Sequence, residues 1–436
     1  MPEGIPAIFM GVSLLLLLMA TGMPVFVAFL LINLITVGLF IGPAGYSMFT
    51  NSLFETTTSQ SLVTIPLFIL MGEILFRSSA VEVLFRAIDT LVGRVRGRQY
   101  VLAIVLATVF STLSGAAMGV AAMLGRSLLP GMIERGYHPR LSAGTILAGA
   151  SLAPLIPPSV LVIIIGTLAG VSIAGLLVAG ILPGLMFAAL FLGYIFIRIW
   201  QNPDMAPKNS DVVQDVSAMD ALRAVLSLIP FTIIIAMVMG LILAGIATPT
   251  ESAAMGVIGS LATAAIYRSL SLRMIYQSLG AAMKVSAMIL VIMASSKLFS
   301  QLLAFSGGAS ALTEWVVGTE MPPWLLLALM MALPFVLCMF VDQIALMLIV
   351  IPIYLPIVAA NGFDPIWFWL LFLVNITIGG LTPPFGYVLF ALKSTWAEGT
   401  LNDVYAASWP FVMLFLLGIV ILAVFPGLAT YLPSLL

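Results

Sequence analysis

Charge is scarce in this chain: of 436 residues only 8% are charged, while 62% are hydrophobic. Cys338 is the single cysteine, which excludes an intramolecular disulfide. His138 is the single histidine, so a His-rich or Cys-rich metal site is excluded as well. It lies in the polar run ERGYHPR and reads as a solvated loop residue. A net charge of −1 gives no reason to expect nucleic acid as a partner. No G-x-S-x-G, H-E-x-x-H or Walker loop is present, and an enzyme is not expected.

What is abundant is apolar sequence, in runs near the ~20 residues that cross a bilayer. The class is an all-α polytopic membrane protein that stays in lipid. Glu3 is acidic and no basic residue precedes the first apolar run, so that run is expected to remain as a helix.

Two stretches break the apolar pattern in the same way. In GASLAPLIPPS, Gly149 to Ser159, the pair Pro157 and Pro158 lacks backbone N–H groups and forces the chain out of regular helix. In NITIGGLTPPFG, Asn375 to Gly386, another Gly-rich run ends in the pair Pro383 and Pro384. Backbone freed from helix survives at membrane depth only where protein buries it or where it lines a watery cavity. Gly22-Met23-Pro24 is likewise answered by Gly245-Ile246-Ala247-Thr248-Pro249, so the chain reads as two copies of one unit. Matching interruptions in two halves point to the binding site of a carrier.

The first half is expected to span residues 1–200, with a helical hairpin at 101–125 and a broken helix at 142–167. A polar linker, 201–223, leads to the second half, 224–436, with a hairpin at 324–358 and a broken helix at 366–393. Residues 43–60 read as polar and turn-rich, and Arg77 to Arg98 as an amphipathic segment on the membrane surface. On this trace all but Lys297 of the 16 Lys and Arg residues fall on one face, which the positive-inside rule makes cytoplasmic. Both termini then lie outside and the halves are inverted repeats, each with a re-entrant hairpin.

Small and hydroxyl-bearing residues gather at the hairpins and breaks. Gly115, Gly119, Gly379 and Gly380 allow close backbone approach. Ser114, Ser159, Asn375, Thr377 and Thr382 offer uncharged oxygens suited to a sodium ion, and helix N-termini favour an anion. Taken singly, each such residue also suits ordinary tight helix packing. Three acids lie in apolar surroundings. Asp342 is expected to serve ion or substrate, whereas Glu73 and Glu251 are expected to be structural, with Lys297 as partner of one of them. Arg126 reads as a cytoplasmic anchor that could also guard an inner exit.

These residues resemble the large membrane subunit of TRAP transporters, the tripartite ATP-independent periplasmic transporters, in their dicarboxylate-type branch. The resemblance rests on PLFILMGEIL at 66–75, the Ser-Gly-Ala tip at 114–116, PGMIERGY at 130–137 and LIPPS at 155–159, followed by AGILPGLM at 179–186, GIATPTESAA at 245–254 and NITIGGLTPPFG at 375–386. It implies a bacterial inner-membrane importer of a small organic acid with an elevator-type moving domain. It also implies a small four-helix membrane subunit, a periplasmic substrate-binding protein and a sodium gradient as the driving force. By the same match, one sodium site would involve Ser114 and Gly115 with Leu155 and Pro157, and a second would involve Cys338 to Asp342 with Gly379 to Thr382. The chain departs from the usual pattern at Ala116, Ala117, Ala153 and Cys338, where hydroxyls or glycines are common. Backbone ligands survive such changes and hydroxyl ligands do not, which leaves sodium and proton coupling both open. A self-sufficient symporter or antiporter, needing no partners, is the alternative reading of the same architecture.

Overall fold

The computed structural model describes residues 4–92, 95–114, 117–207 and 217–436, and among them the chain is helical with no strand. Six helices are long and apolar enough to cross a membrane: Gln60–Arg77, Ile173–Gln201, Ala218–Leu243, Leu272–Phe305, Gln343–Ala360 and Leu401–Val424. Shorter apolar helices, among them Ile5–Ala20, Pro323–Cys338 and Pro365–Gly379, complete the bundle. The apolar runs fold this way because a bilayer offers no partner for backbone N–H and C=O groups, and a helix satisfies them within itself.

The two early breaks fall where the sequence puts them. Helix Ile5–Ala20 ends before Gly22, whose φ of 84° suits a residue without Cβ, and Pro24 stands immediately before Val25–Thr36. Gly245, at φ 65°, ends the corresponding segment of the second half. Thr248 then opens helix Pro249–Ile266 with a capping box, its side chain accepting from the Glu251 N–H while Glu251 accepts from the Thr248 N–H at 2.8 Å.

Several boundaries differ from the expectation. Residues 43–60 are mostly one helix, Pro43–Thr58, because Pro43 is well placed at its first turn and its Thr hydroxyls donate back to carbonyls one turn earlier. The basic stretch from 272 joins the following span as one 34-residue helix, Leu272–Phe305, opened by Ser271 as its cap. Helix Gly308–Gly318 follows it. His138 is exposed yet is not a bare loop residue: its Nδ1 accepts from the Leu141 N–H at 3.4 Å and opens helix Pro139–Ala150. Partial burial, then the nearby Arg140 and Arg198, hold its pKa below the usual histidine value. Helix Ala80–Leu91 turns Leu84, Ala87 and Ile88 inward and exposes Glu82 and Arg86, as an amphipathic segment must. Most of the polar linker, 208–216, lies outside the described residues.

Each hairpin is a pair of helices packed on one another. The first is Arg98–Ser114 with Ala117–Ser127, and the second is Pro323–Cys338 with Gln343–Ala360. The first packs on helix Pro139–Ala150, so closely that a Cβ on Gly149 would lie 2.5 Å from the Ala107 Cβ. The second packs on helix Pro365–Gly379.

Candidate functional site

Both proline pairs interrupt helices, the first in the buried interior and the second at a half-buried position. Helix Pro139–Ala150 ends in turns over residues 151–158, and Ser159 restarts helix Val160–Ala169 by accepting from the Val162 N–H at 3.4 Å. Helix Pro365–Gly379 ends in turns before helix Tyr387–Lys393. The carbonyls of Ala153, Leu155, Ile156 and Pro157, and those of Leu381, Pro383 and Phe385, accept no hydrogen bond from other described residues. Carbonyls of this kind are the donor set a sodium ion takes from protein, and an anion is not served by them.

The second break and the second hairpin meet directly. A Cβ on Gly379 would lie 2.1 Å from the Cys338 Cβ and 2.9 Å from its carbonyl oxygen, so only glycine allows this approach. Gln343, buried at the first turn of helix Gln343–Ala360, locks the junction. Its Nε2 donates to the carbonyls of Ile376 at 2.9 Å and Thr377 at 3.4 Å, and its Oε1 accepts from the Tyr387 hydroxyl at 3.0 Å. One side chain thereby ties the hairpin tip to both sides of the break. Tyr405 adds a bond from its hydroxyl to the Pro384 carbonyl at 2.8 Å.

Several of the remaining residues singled out in the sequence have assigned partners. The Asp342 carboxylate is exposed and caps helix Gln343–Ala360, accepting from the Ile344 N–H at 2.9 Å and the Ala345 N–H at 3.4 Å. Asn375 is buried and donates to the Met331 carbonyl at 2.7 Å, joining the broken helix to the hairpin. Thr382 is buried and donates to the Ile378 carbonyl at 2.7 Å. Pro157 and Leu155 sit in the first break, where the Leu155 carbonyl abuts Gly180 so closely that a Cβ there would lie 2.2 Å away. Gly115 and the side chain of Ser114 lie outside the described residues. Near that tip the Ser111 hydroxyl is buried with no partner among the described residues. The exposed Arg126 guanidinium donates to the Ala122 carbonyl within its own helix at 3.3 Å.

The expected partnership of Lys297 with Glu73 or Glu251 is not what the structure holds. Lys297 pairs with Glu55, Glu73 pairs with Arg77 one turn along its own helix at 2.8 Å, and Glu251 is spent in the capping box. The reason is that residues 43–60 fold as a helix, which carries Glu55 onto the face of helix Leu272–Phe305. Gln343 and Tyr387 are site residues that the sequence reading does not single out. An uncharged amide in the apolar run MFVDQIALM is the available signal, since buried amides at membrane depth need partners.

The model of the tripartite ATP-independent periplasmic transporter, DctM component, matches residues 12–428. The chain belongs to this family. Among its relatives, the ectoine TRAP transporter large permease protein TeaC of Halomonas elongata is 31% identical over 86% of each chain. The C4-dicarboxylate TRAP transporter large permease protein DctM of Pseudomonas aeruginosa is 29% identical over 88% of each. The sialic acid TRAP transporter large permease protein SiaM of Vibrio cholerae is 28% identical over 86% of each. These DctM-family relatives are named as permeases of a tripartite system, not as enzymes. In fold, the chain is similar to the YdaH transporter of Alcanivorax borkumensis, with a TM-score of 0.65 at 16% identity, covering 89% of this chain and 90% of that one. As a large permease subunit it is a multi-pass membrane protein, consistent with its six long apolar helices.

Proposed function

We propose that this permease imports a small carboxylate into a bacterial cell, driven by a sodium gradient and supplied by a periplasmic binding protein, with a small four-helix membrane subunit completing the assembly. The observation that carries the coupling is the cluster of unpartnered carbonyls at the two proline breaks, one of them packed against a hairpin tip at Gly379 and Cys338. The cargo class follows from the relatives, whose named cargoes of ectoine, C4-dicarboxylate and sialic acid each carry a carboxylate.

In this reading the halves are inverted repeats with both termini periplasmic, and the hairpins and broken helices travel together as an elevator. Ser114, Gly115, Leu155 and Pro157 serve one sodium ion, while Cys338, Gly379 and Thr382 serve the other. Ser159, Asp342 and Asn375 line the ion and substrate region around them. Gln343 fixes the second tip to its break, so that the carbonyls keep their spacing when the ion arrives.

The test is uptake into proteoliposomes containing the chain and its small subunit, with the binding protein added and either a sodium or a proton gradient imposed. Uptake of a carboxylate that requires both sodium and the binding protein is expected. Uptake indifferent to sodium overturns the coupling, and uptake without the binding protein favours a self-sufficient carrier.

A further inference from the structure

A cavity of about 850 Å³ lies apart from the two breaks, between helices of both halves. Its walls come from helix Pro43–Thr58, the segment Gly166 to Ala174, the turn Thr248 to Thr250, helix Leu272–Phe305 and the far part of helix Gln343–Ala360 at Pro352 and Leu355. The cavity is nevertheless joined to the candidate site by two helices. Helix Val160–Ala169 starts at Ser159 and reaches the cavity at Gly166, about 10 Å away by helical rise, and helix Gln343–Ala360 starts at the second hairpin tip.

One cation and one anion line this cavity, Lys297 and Glu55, and they form an ion pair. Lys297 is the one Lys or Arg that the sequence sets inside an apolar run, away from the other basic residues. It sits about 20 Å by helical rise from Lys284, the preceding basic residue on the same helix. Its side chain is 41% exposed and that of Glu55 is 55% exposed, so both can reach a solute. The rest of the lining includes hydroxyls and amides without charge, among them Ser300 and Gln301. The Thr167 hydroxyl, on the opposite wall, is buried without a partner among the described residues. An apolar carrier has no packing need for a half-exposed ion pair in a chamber of this size, and an ammonium with neutral donors around it is the chemistry that receives a carboxylate.

We propose that this cavity is a vestibule site for the carboxylate group of the cargo, with Lys297 as its anchor and Glu55 as the group that occupies Lys297 until cargo arrives. This rests on the reading of the cargo as a carboxylate. A half-exposed pair is weakly held, so an incoming carboxylate exchanges with Glu55, which swings to water. Charge is conserved at the anchor throughout, and the apolar turn at Pro352 and Leu355 leaves room for the body of a small molecule. Glu55 thereby also discriminates against inorganic anions that bring no further contacts.

The experiment uses the full chain in liposomes with Ser300→Cys, labelled by a membrane-impermeant thiol reagent that the buried Cys338 does not meet. Succinate, ectoine and sialic acid are the probes, with neutral succinamide as control. At least one carboxylate is expected to slow labelling, and succinamide is not. Lys297→Gln is expected to abolish the protection and Lys297→Arg to keep it, while Glu55→Gln lowers the half-protecting concentration by about 5-fold, as removal of a weak competing pair would. Ser172→Cys, across the cavity, replaces Ser300→Cys should that variant fail to fold. No protection by any probe overturns the proposal, as does protection unchanged in Lys297→Gln or equal protection by succinamide. Labelling is read without transport. Lost protection with sodium-driven carboxylate uptake intact therefore removes the vestibule alone, whereas failure of uptake for every carboxylate removes the functional reading and the site with it.

Discussion

Gly379→Ala is the sharpest test of how the second hairpin meets the second break. The added methyl would stand 2.1 Å from the Cys338 Cβ, 2.9 Å from its carbonyl oxygen and 3.0 Å from its carbonyl carbon. Carbon atoms rest at about 3.5–4.0 Å, so the two helix ends must part by more than about 1 Å. Neither can give way by rotating a side chain, because two of the three obstructing atoms are backbone. Overpacking of this kind costs about 1–3 kcal/mol, and the better helix propensity of alanine returns at most about 1 kcal/mol at this last helical position. A net loss of about 2 kcal/mol is expected, which for a chain this long lowers the unfolding midpoint by about 2 °C. The midpoint is read by fluorescence-detected size exclusion in detergent after heating. Sodium-dependent uptake should fall further than stability does, because the separation moves the Cys338 carbonyl away from the break. Adding Cys338→Gly removes the nearest obstruction and leaves the carbonyl, so rescue should be partial. A midpoint within about 1 °C of the parent, a smaller shift than a loss of about 2 kcal/mol produces, together with unchanged uptake, would refute the claim that this junction is closed by backbone contact.

Two further outcomes follow from the same geometry. Gln343→Leu leaves the Tyr387 hydroxyl and the Ile376 carbonyl without their partner, which at about 1–3 kcal/mol for a buried orphan should lower the midpoint and slow uptake, and Gln343→Glu, which keeps an acceptor for Tyr387, should lie between the two. His138 has a pKa held below its usual value, so the folded chain resists a proton that the unfolded chain accepts. Its contribution is present above the ordinary histidine pKa of 6.5 and is lost as pH falls from there toward the folded value. His138→Asn keeps a capping oxygen without titrating, and its midpoint should therefore depend less on pH between neutral and mildly acidic buffers than that of the parent.

Much of the site is legible in the order of residues because membrane depth makes irregular backbone expensive. The pairs at Pro157 and Pro383 mark both breaks, and Gly22 and Gly245 mark the earlier turns, since proline and glycine act locally. Partnership is not legible in the same way. The two N–H groups of its own helix that the Asp342 carboxylate reaches are not readable in MFVDQIALM, because that geometry is fixed only once the helix starts at Gln343. Lys297 has two nominal acids to choose from and takes a third, because residues 43–60 look polar and turn-rich while their spacing also suits a helix.

The class, most of the helices, the two breaks and the family follow from the order of residues alone, because hydropathy and helix interruption are properties of a few neighbouring residues. Packing in three dimensions settles which break meets which hairpin, that Gln343 and Tyr387 lock one of those meetings, and that Glu55 pairs with Lys297 in the wall of a cavity. These depend on contacts between residues far apart in the chain, at the second hairpin on an approach as close as one missing methyl group at Gly379 allows, and no local pattern encodes such a distance.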